Sequence, residues 1–206
     1  MMSEKTSKGI NKAKEVEPIK NIKDIAKVKQ YLLGKSNKRD YMLFVVGINV
    51  GLRAGDLLSL KIGDVIDNGN IKDFVRMQEQ KTRKMREFTL NASAKEAIRL
   101  YLDSIDGYDP GDFLFKSRKG GIALTVESVH KIIKTTLREL GIKGNYGTHT
   151  LRKTFAYHTY TSNVRDNPAI VETLQKMLNH SSQAVTLRYI GITKEVITDV
   201  YNSLNL

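Results

Sequence analysis

The chain has 206 residues, of which 40% are hydrophobic and 27% are charged, a balance typical of one folded globular domain rather than a disordered chain. Lys and Arg outnumber Asp and Glu by 34 to 22, giving a formal charge of +12. Such an excess indicates a nucleic-acid-binding protein, although an anionic membrane or a ribosome would attract the same charge. The lack of cysteine excludes disulfides, thiolate metal sites and cysteine nucleophiles.

Two further features of the composition bear on localisation and cofactors. No apolar run approaches the roughly 18 residues of a membrane span, so we expect a cytoplasmic protein with no membrane partner. The four histidines lie at positions 130, 149, 158 and 180, a scattered pattern that predicts no metal cluster.

The N-terminal part of the chain changes character near residue 21. Residues 1–20 carry five lysines and few apolar side chains, so we predict a flexible basic tail that buries too little surface to become ordered. A helical pattern begins at Ile22. A second predicted helix runs from about Arg39 to Val50, where Gly51 breaks the pattern just ahead of Arg53.

The remainder of the chain predicts one hairpin followed by helices. Between Ile71 and Leu90, two β-prone pieces flank the polar stretch "EQKTRKM", which indicates an antiparallel hairpin with a basic tip. Helical patterns then recur near 92 to 105, 125 to 140, 150 to 162, 168 to 178 and 193 to 204. We therefore predict a mainly α domain with a small antiparallel β-sheet (α+β), spanning residues 21–206.

Five short motifs, individually weak, carry the functional information. They are "GLRAGDLLSL" (51–60), "EQKTRKMREFTL" (79–90), "THTLRKTFA" (148–156), "MLNHSS" (177–182) and "TLRYIG" (186–191). In order and spacing they resemble the tyrosine recombinases, also called the phage integrase family, from about residue 22 to the end. That family presents an Arg after Gly-Leu, a hairpin Lys, a His-x-x-Arg pair, a second His and a Tyr nine residues later. The matching residues here are Arg53, Lys81, His149, Arg152, His180 and Tyr189.

Some of the implied chemistry also follows from the residue types. A phosphodiester gains negative charge in its transition state, and two arginine forks such as Arg53 and Arg152 supply fixed donors to it. Tyr189 is a plausible nucleophile, because an aryl phosphate remains reactive enough for a DNA hydroxyl to reverse the bond. His149 is the candidate general base for the phenol proton.

The resemblance implies roles for three more residues. Lys81 would protonate the departing 5′-oxygen, although Lys84 lies in the same hairpin, and His180 would donate a hydrogen bond to the phosphate. Asp56 would support the active-site cations. No metal or other cofactor is implied.

The sequence departs from the family pattern at two positions near these residues. Gly55 precedes Asp56, where most relatives have Ser or Pro. Asn179 replaces the usual Gly before His180. Neither change removes a reacting group.

Simpler interpretations exist for each group on its own. Arg53 could pair with Asp56 on the surface, and single histidines are more often structural than catalytic. The cations of the hairpin tip could be a solvated turn, but in company with the other motifs we predict that they bind DNA. These cations are Arg83, Lys84 and Arg86.

The resemblance implies a site-specific DNA recombinase that forms a 3′-phosphotyrosine intermediate on double-stranded DNA. We expect a tetramer on synapsed DNA and a monomer or weak oligomer in free solution, with the predicted last helix docking on a neighbouring protomer. Typical relatives carry a core-binding domain ahead of the catalytic domain. Its absence here predicts either a short recombinase of the fimbrial-inversion kind or a catalytic fragment. A type IB topoisomerase and a non-catalytic DNA-binding regulator are the alternatives.

Overall fold

A computed structural model describes residues 15–191, 198 and 201–204. Its helices are α1 (Ile22–Gly34), α2 (Lys38–Val50), α3 (Ala54–Leu58), α4 (Ile62–Val65), α5 (Ala92–Leu102), α6 (Val126–Glu139), α7 (His149–Asn163), α8 (Ile170–Met177) and α9 (Gln183–Ile190). Its strands are β1 (Ile66–Asp67), β2 (Asn70–Ile71), β3 (Phe74–Gln78) and β4 (Met85–Thr89). The predicted fold class, mainly α with a small antiparallel sheet, is confirmed.

Local signals in the sequence fix several of these boundaries. The side chain of Asn21 accepts a hydrogen bond from the amide of Lys23 at the start of α1, and Asn37 caps α2 in the same way. Helix α2 ends at Gly51, which adopts a left-handed conformation with φ of 60°. The break that the glycine predicted is therefore a helix C-cap that turns the chain toward Arg53.

The predicted hairpin is present and forms an antiparallel pair. Val75 lies opposite Phe88, and Met77 lies opposite Arg86. The sequence did not predict the short helices α3 and α4, the two-residue pair of β1 and β2, or α9. Each of these elements has eight residues or fewer, so none shows the repeated apolar stripe from which a longer helix is recognised.

The buried side chains form two clusters. The larger one joins α1, α2, α5, α6 and the hairpin, and the smaller one joins α7, α8 and α9. Helix α7 packs against α2 as well as against α8 and α9, so its N-terminal turn lies between the two clusters. No helix among the described residues is long and apolar enough to cross a bilayer.

Residues 15–20 differ from the predicted tail because they pack against α7. Ile19 is buried, and its amide donates to the hydroxyl of Thr154 at 2.9 Å. The hydroxyl of Thr150 donates to the carbonyl of Glu17, and His158 contacts the carbonyl of Ile19. The sequence interpretation weighed the lysines of this stretch and overlooked Ile19, a single apolar side chain that anchors it.

The segment that carries these contacts, residues 15–19, is called the N-terminal strap below. Residues 1–14 of the predicted tail lie outside the described residues. So does most of the predicted helix over 193 to 204, of which residues 198 and 201–203 are described as helical.

Candidate active site

The six residues singled out by the motifs meet in one cleft. The cleft has a volume of about 570 Å³ and is open to solvent. Its lining includes Arg53, Lys81, His149, Arg152, His180 and Tyr189. These side chains come from the start of α3, the hairpin turn, α7, the α8–α9 loop and α9. The fold thus brings together residues that are up to 136 positions apart.

Helix α7 positions two of the cationic groups. His149 and Arg152 are three residues apart at its N-terminal end and therefore share a face. The guanidinium of Arg152 donates to the carbonyl of Gly51 at 2.8 Å and to the carbonyl of Leu178. Burial, followed by the charges of Arg86 and Arg53, lowers the pKa of Arg152 to about 10, which leaves it protonated at neutral pH.

Tyr189 and His149 are in direct contact. The Tyr189 hydroxyl lies 3.2 Å from Nδ1 of His149, so the phenol can donate its proton when that nitrogen is unprotonated. Burial and the charges of Arg152, Lys153 and Arg53 lower the pKa of His149. The neutral imidazole, which is the form able to accept a proton, is therefore favoured at neutral pH.

His180 is oriented through both of its ring nitrogens. Nε2 lies 3.3 Å from a terminal nitrogen of Arg152, which can only donate, and Nδ1 lies 3.1 Å from the hydroxyl of Thr186. Burial and the charges of Arg152, Arg53 and Arg86 lower the pKa of His180 to about 4. In this structure the ring is thus neutral, with its Nε2 lone pair directed at Arg152.

Arg53 is held by two buried carboxylates. Its Nη1 donates to Oε2 of Glu79 at 2.8 Å and lies 3.9 Å from Oδ2 of Asp56. Asp56 also accepts a hydrogen bond from the amide of Gln80 at 2.8 Å. The carboxylate predicted to support the cations therefore contacts both Arg53 and the hairpin.

Of the two hairpin lysines, Lys81 is the one at the cleft. It lies in the turn between β3 and β4, with an exposed side chain that lines the cleft. Lys84 is exposed in the same turn but is not among the cleft residues. The geometry therefore favours Lys81, the lysine that the family context of "EQKT" already favoured over Lys84 in the sequence.

The cations predicted to bind DNA fall into two groups. Arg83 and Lys84 are exposed at the hairpin tip. Arg86 has only 8% of its side chain exposed, and it pairs with Glu79 at 3.3 Å and donates to the carbonyl of Val50 at 3.2 Å. Arg86 therefore offers little surface to DNA, because its guanidinium points into the domain and is occupied by a carboxylate.

Two residues that the sequence interpretation missed lie next to the predicted ones. Glu79 has a fully buried side chain at the end of β3, and strand alternation could have found it, since it follows Val75 and Met77 at every second position. Lys153 has 6% of its side chain exposed, lies 5.3 Å from the ring centroid of Tyr189 and pairs with Glu15 at 2.6 Å. In the sequence, only the position of Lys153 next to Arg152 pointed to the active site. Among the described residues, no three His, Asp or Glu side chains are arranged to hold a metal ion.

Comparison with known proteins agrees with this arrangement. The sequence model of the Phage integrase family matches residues 16–195. The chain belongs to the phage integrase family. One family relative, the "Probable integrase/recombinase YoeC" of Bacillus subtilis (strain 168), is 39% identical over 186 residues, which cover 90% of this chain and 95% of that protein.

Solved structures of phage integrase family members share the fold at lower identity. XerA recombinase superposes with a TM-score of 0.68 and 23% identity over 93% of this chain and 67% of that one. XerH recombinase bound to a palindromic difH substrate in a post-cleavage complex has a TM-score of 0.66 and 22% identity. The match covers 88% of this chain but 51% of the XerH chain, so XerH contains much that has no counterpart in the sequence described here.

Proposed function

We propose that this phage integrase family member cleaves and rejoins DNA strands at specific sites through a covalent bond between Tyr189 and a backbone phosphate. The observation that carries the proposal is the 3.2 Å contact between the Tyr189 hydroxyl and His149 inside a cleft lined by Arg53 and Arg152. A phenol beside a neutral base, facing two guanidinium groups, suits attack on a phosphodiester. The relative YoeC is named as a probable integrase or recombinase.

In the first step the Tyr189 oxygen attacks phosphorus and its proton moves to Nδ1 of His149. Arg53 and Arg152 stabilise the charge that develops on the non-bridging oxygens. The bond from phosphorus to the 5′-oxygen then breaks, and Lys81 gives that oxygen a proton. The products are a 3′-phosphotyrosine and a free 5′-hydroxyl.

His180 changes its role when the phosphate arrives. In this structure its Nε2 accepts from Arg152. A bound phosphate brings negative charge, which raises the pKa of the imidazole. The protonated ring can then donate from Nε2 to a phosphate oxygen.

Strand exchange completes the reaction. The 5′-hydroxyl of a partner strand attacks the phosphotyrosine, Tyr189 leaves, and the proton transfers run in reverse, so the energy of the broken bond is conserved. We propose double-stranded DNA as the substrate, as in the XerH complex, with four protomers on two synapsed sites. We also assign the reaction to the cytoplasm, with a catalytic domain that needs no metal.

The test is capture of the covalent intermediate. The protein is incubated with a pool of duplexes that carry one nick beside a randomised region, so that the short cleaved fragment diffuses away and the adduct persists. Protein-bound DNA that survives denaturant is sequenced. We expect an enriched site with the wild type and no adduct with Tyr189→Phe, whereas Tyr201→Phe, which alters an exposed tyrosine, retains it.

Three results would count against the proposal. Adducts that persist in Tyr189→Phe would refute the assigned nucleophile. Adducts without an enriched sequence, together with relaxation of supercoiled plasmid, would indicate topoisomerase activity. Binding with no adduct from any duplex would indicate a regulator.

A further inference from the structure

The carboxylate of Glu79 is a point of contact for three parts of the active site. Its Oε2 accepts from Arg53 at 2.8 Å, from the hydroxyl of Thr82 at 2.7 Å and from the side-chain amide of Asn179 at 2.7 Å. Its Oε1 accepts from Arg86 at 3.3 Å. The side chain has no exposed surface, so each of these partners is fixed by a contact that water does not replace.

The partners of Glu79 are next to residues of the proposed reaction. Thr82 follows Lys81 in the hairpin turn, and Asn179 precedes His180 in the α8–α9 loop. The same amide of Asn179 also lies 3.3 Å from the hydroxyl of Thr82. One buried carboxylate therefore contacts Arg53 directly and contacts the immediate neighbours of Lys81 and His180.

The backbone conformation of Asn179 bears on its hydrogen bond to Glu79. It has a φ of 51°, a left-handed conformation that glycine adopts without strain and that Asn tolerates better than most other residues. The family pattern described above has Gly at this position. Asn keeps this backbone conformation and, unlike Gly, supplies a side-chain amide that donates to Glu79.

We propose that the hydrogen bond between Glu79 and Asn179 joins the β3–β4 turn to the α8–α9 loop. This pair, called the latch below, fixes the positions of Arg53, Lys81 and His180 relative to one another. Glu79 is thus a positioning residue of the active site, and Asn179 is its matched partner. The catalytic consequence rests on the proposed function, whereas the physical link between turn and loop does not.

Backbone amide exchange tests the link without any reaction. The amides of Glu79 and Arg83 are hydrogen-bonded within the turn, and the amide of His180 donates to the carbonyl of Gln175 at 3.0 Å. We expect Asn179→Gly to accelerate exchange in the turn, and Glu79→Gln to accelerate exchange at His180, each by about fivefold or more. Changes confined to the mutated segment would overturn the latch.

Two control variants match the latch variants in chemistry. Glu87→Gln removes a carboxylate from the same hairpin, where it forms an exposed ion pair with Arg76. Asn68→Gly replaces another asparagine with positive φ, 46°, in the β1–β2 turn. Both controls should leave exchange in the β3–β4 turn and at His180 unchanged.

Single-turnover cleavage of the selected nicked duplex tests the catalytic consequence. Glu79→Gln and Asn179→Gly should each slow adduct formation by about tenfold, the loss expected for one hydrogen bond to a charged group, with unchanged affinity for the duplex. The double variant should be no slower than the slower single variant, because Asn179→Gly removes the hydrogen bond to residue 79 and Glu79→Gln removes the charge that strengthens the same bond.

The possible outcomes separate the two proposals. Multiplicative losses in the double variant, or normal cleavage by Asn179→Gly, would overturn the positioning role while the recombinase proposal stands. If the wild type forms no adduct, the proposed function fails, and amide exchange still decides whether the latch exists.

Discussion

In the proposed mechanism, the protonation state of His149 decides whether Tyr189 can lose its proton. Burial and three neighbouring cations lower the pKa of His149, so the base form persists below the reference value of about 6.5. The protonated form becomes dominant only as pH falls through this lowered pKa. We therefore expect the second-order rate of cleavage, which reports the groups of the DNA-free protein, to hold at neutral pH and to decline with a midpoint below about 6.5.

Lys153 is the cation whose contribution can be removed most cleanly. Lys153→Met retains the buried stem, removes one positive charge and leaves Glu15 unpaired, so protonation of His149 becomes easier and its pKa rises. The acid midpoint of single-turnover cleavage, followed between pH 5 and pH 8, should move upward by about half a unit. Lys134→Met, at an exposed position on α6, should not move it. An unchanged midpoint in Lys153→Met would contradict this electrostatic account.

The sequence was informative about single residues wherever a motif fixed their spacing. Arg53, His149, Arg152, His180 and Tyr189 were predicted to converge, and they line one cleft. It did not reveal the burial of Arg86, because the run of cations was interpreted as one exposed tip. In an antiparallel pair, alternate residues face the same side, and Arg86 shares the inward side with the buried Phe88.

At the scale of elements, the end of α2 determines how Arg152 is held. Gly51 terminates the helix with positive φ and supplies the carbonyl to which Arg152 donates at 2.8 Å. A Cβ at this position would lie 2.3 Å from the ring of Phe155 on α7. The glycine thus permits both the turn and the close approach of the two helices.

Gly51→Ala should lower the free energy of unfolding by about 2 to 5 kcal/mol, the sum of left-handed strain and overpacking. Urea denaturation measures this loss. Gly69→Ala is the matched control, since Gly69 has a φ of 76° but open space around its Cβ position, and it should cost only about 1 to 2 kcal/mol. Equal losses at the two positions would mean that the contact with Phe155 is unimportant.

Elements were predictable in proportion to their length and periodicity. Helices α1, α2, α5, α6, α7 and α8 and the hairpin all follow from apolar spacing and turn signals. Helix α9, which carries Tyr189, buries only Thr186 and Ile190, too few positions to define a helical face. Ser182 caps its start and Gly191 ends it, but its packing against α7 and α8 does not follow from any local pattern.

At the scale of the whole molecule, the charge of +12 predicts binding to DNA that weakens steeply with salt. The exposed Arg83 and Lys84 are the tip residues available for phosphate contacts. Arg83→Ala and Lys84→Ala should each weaken binding to a random-sequence duplex and reduce the slope of log affinity against log salt by about 1.

Arg86→Ala tests whether the paired Arg86 behaves differently from the exposed Arg83 and Lys84. Because this guanidinium is paired inside the domain, its loss should leave the salt slope unchanged and lower the free energy of unfolding by about 2 to 4 kcal/mol. Titration of fluorescently labelled duplex at several salt concentrations, together with urea denaturation, measures both quantities. A reduced salt slope for Arg86→Ala would show instead that Arg86 contacts DNA.

The N-terminal strap has a practical consequence for anyone who handles the protein. Its contacts to Thr150, Lys153, Thr154 and His158 all fall on the helix that begins with His149. A purification tag or fused domain joined directly ahead of Glu15 would therefore disturb these contacts and, through them, the position of His149 beside Tyr189. A long, flexible linker between the tag and Glu15 would avoid this disturbance.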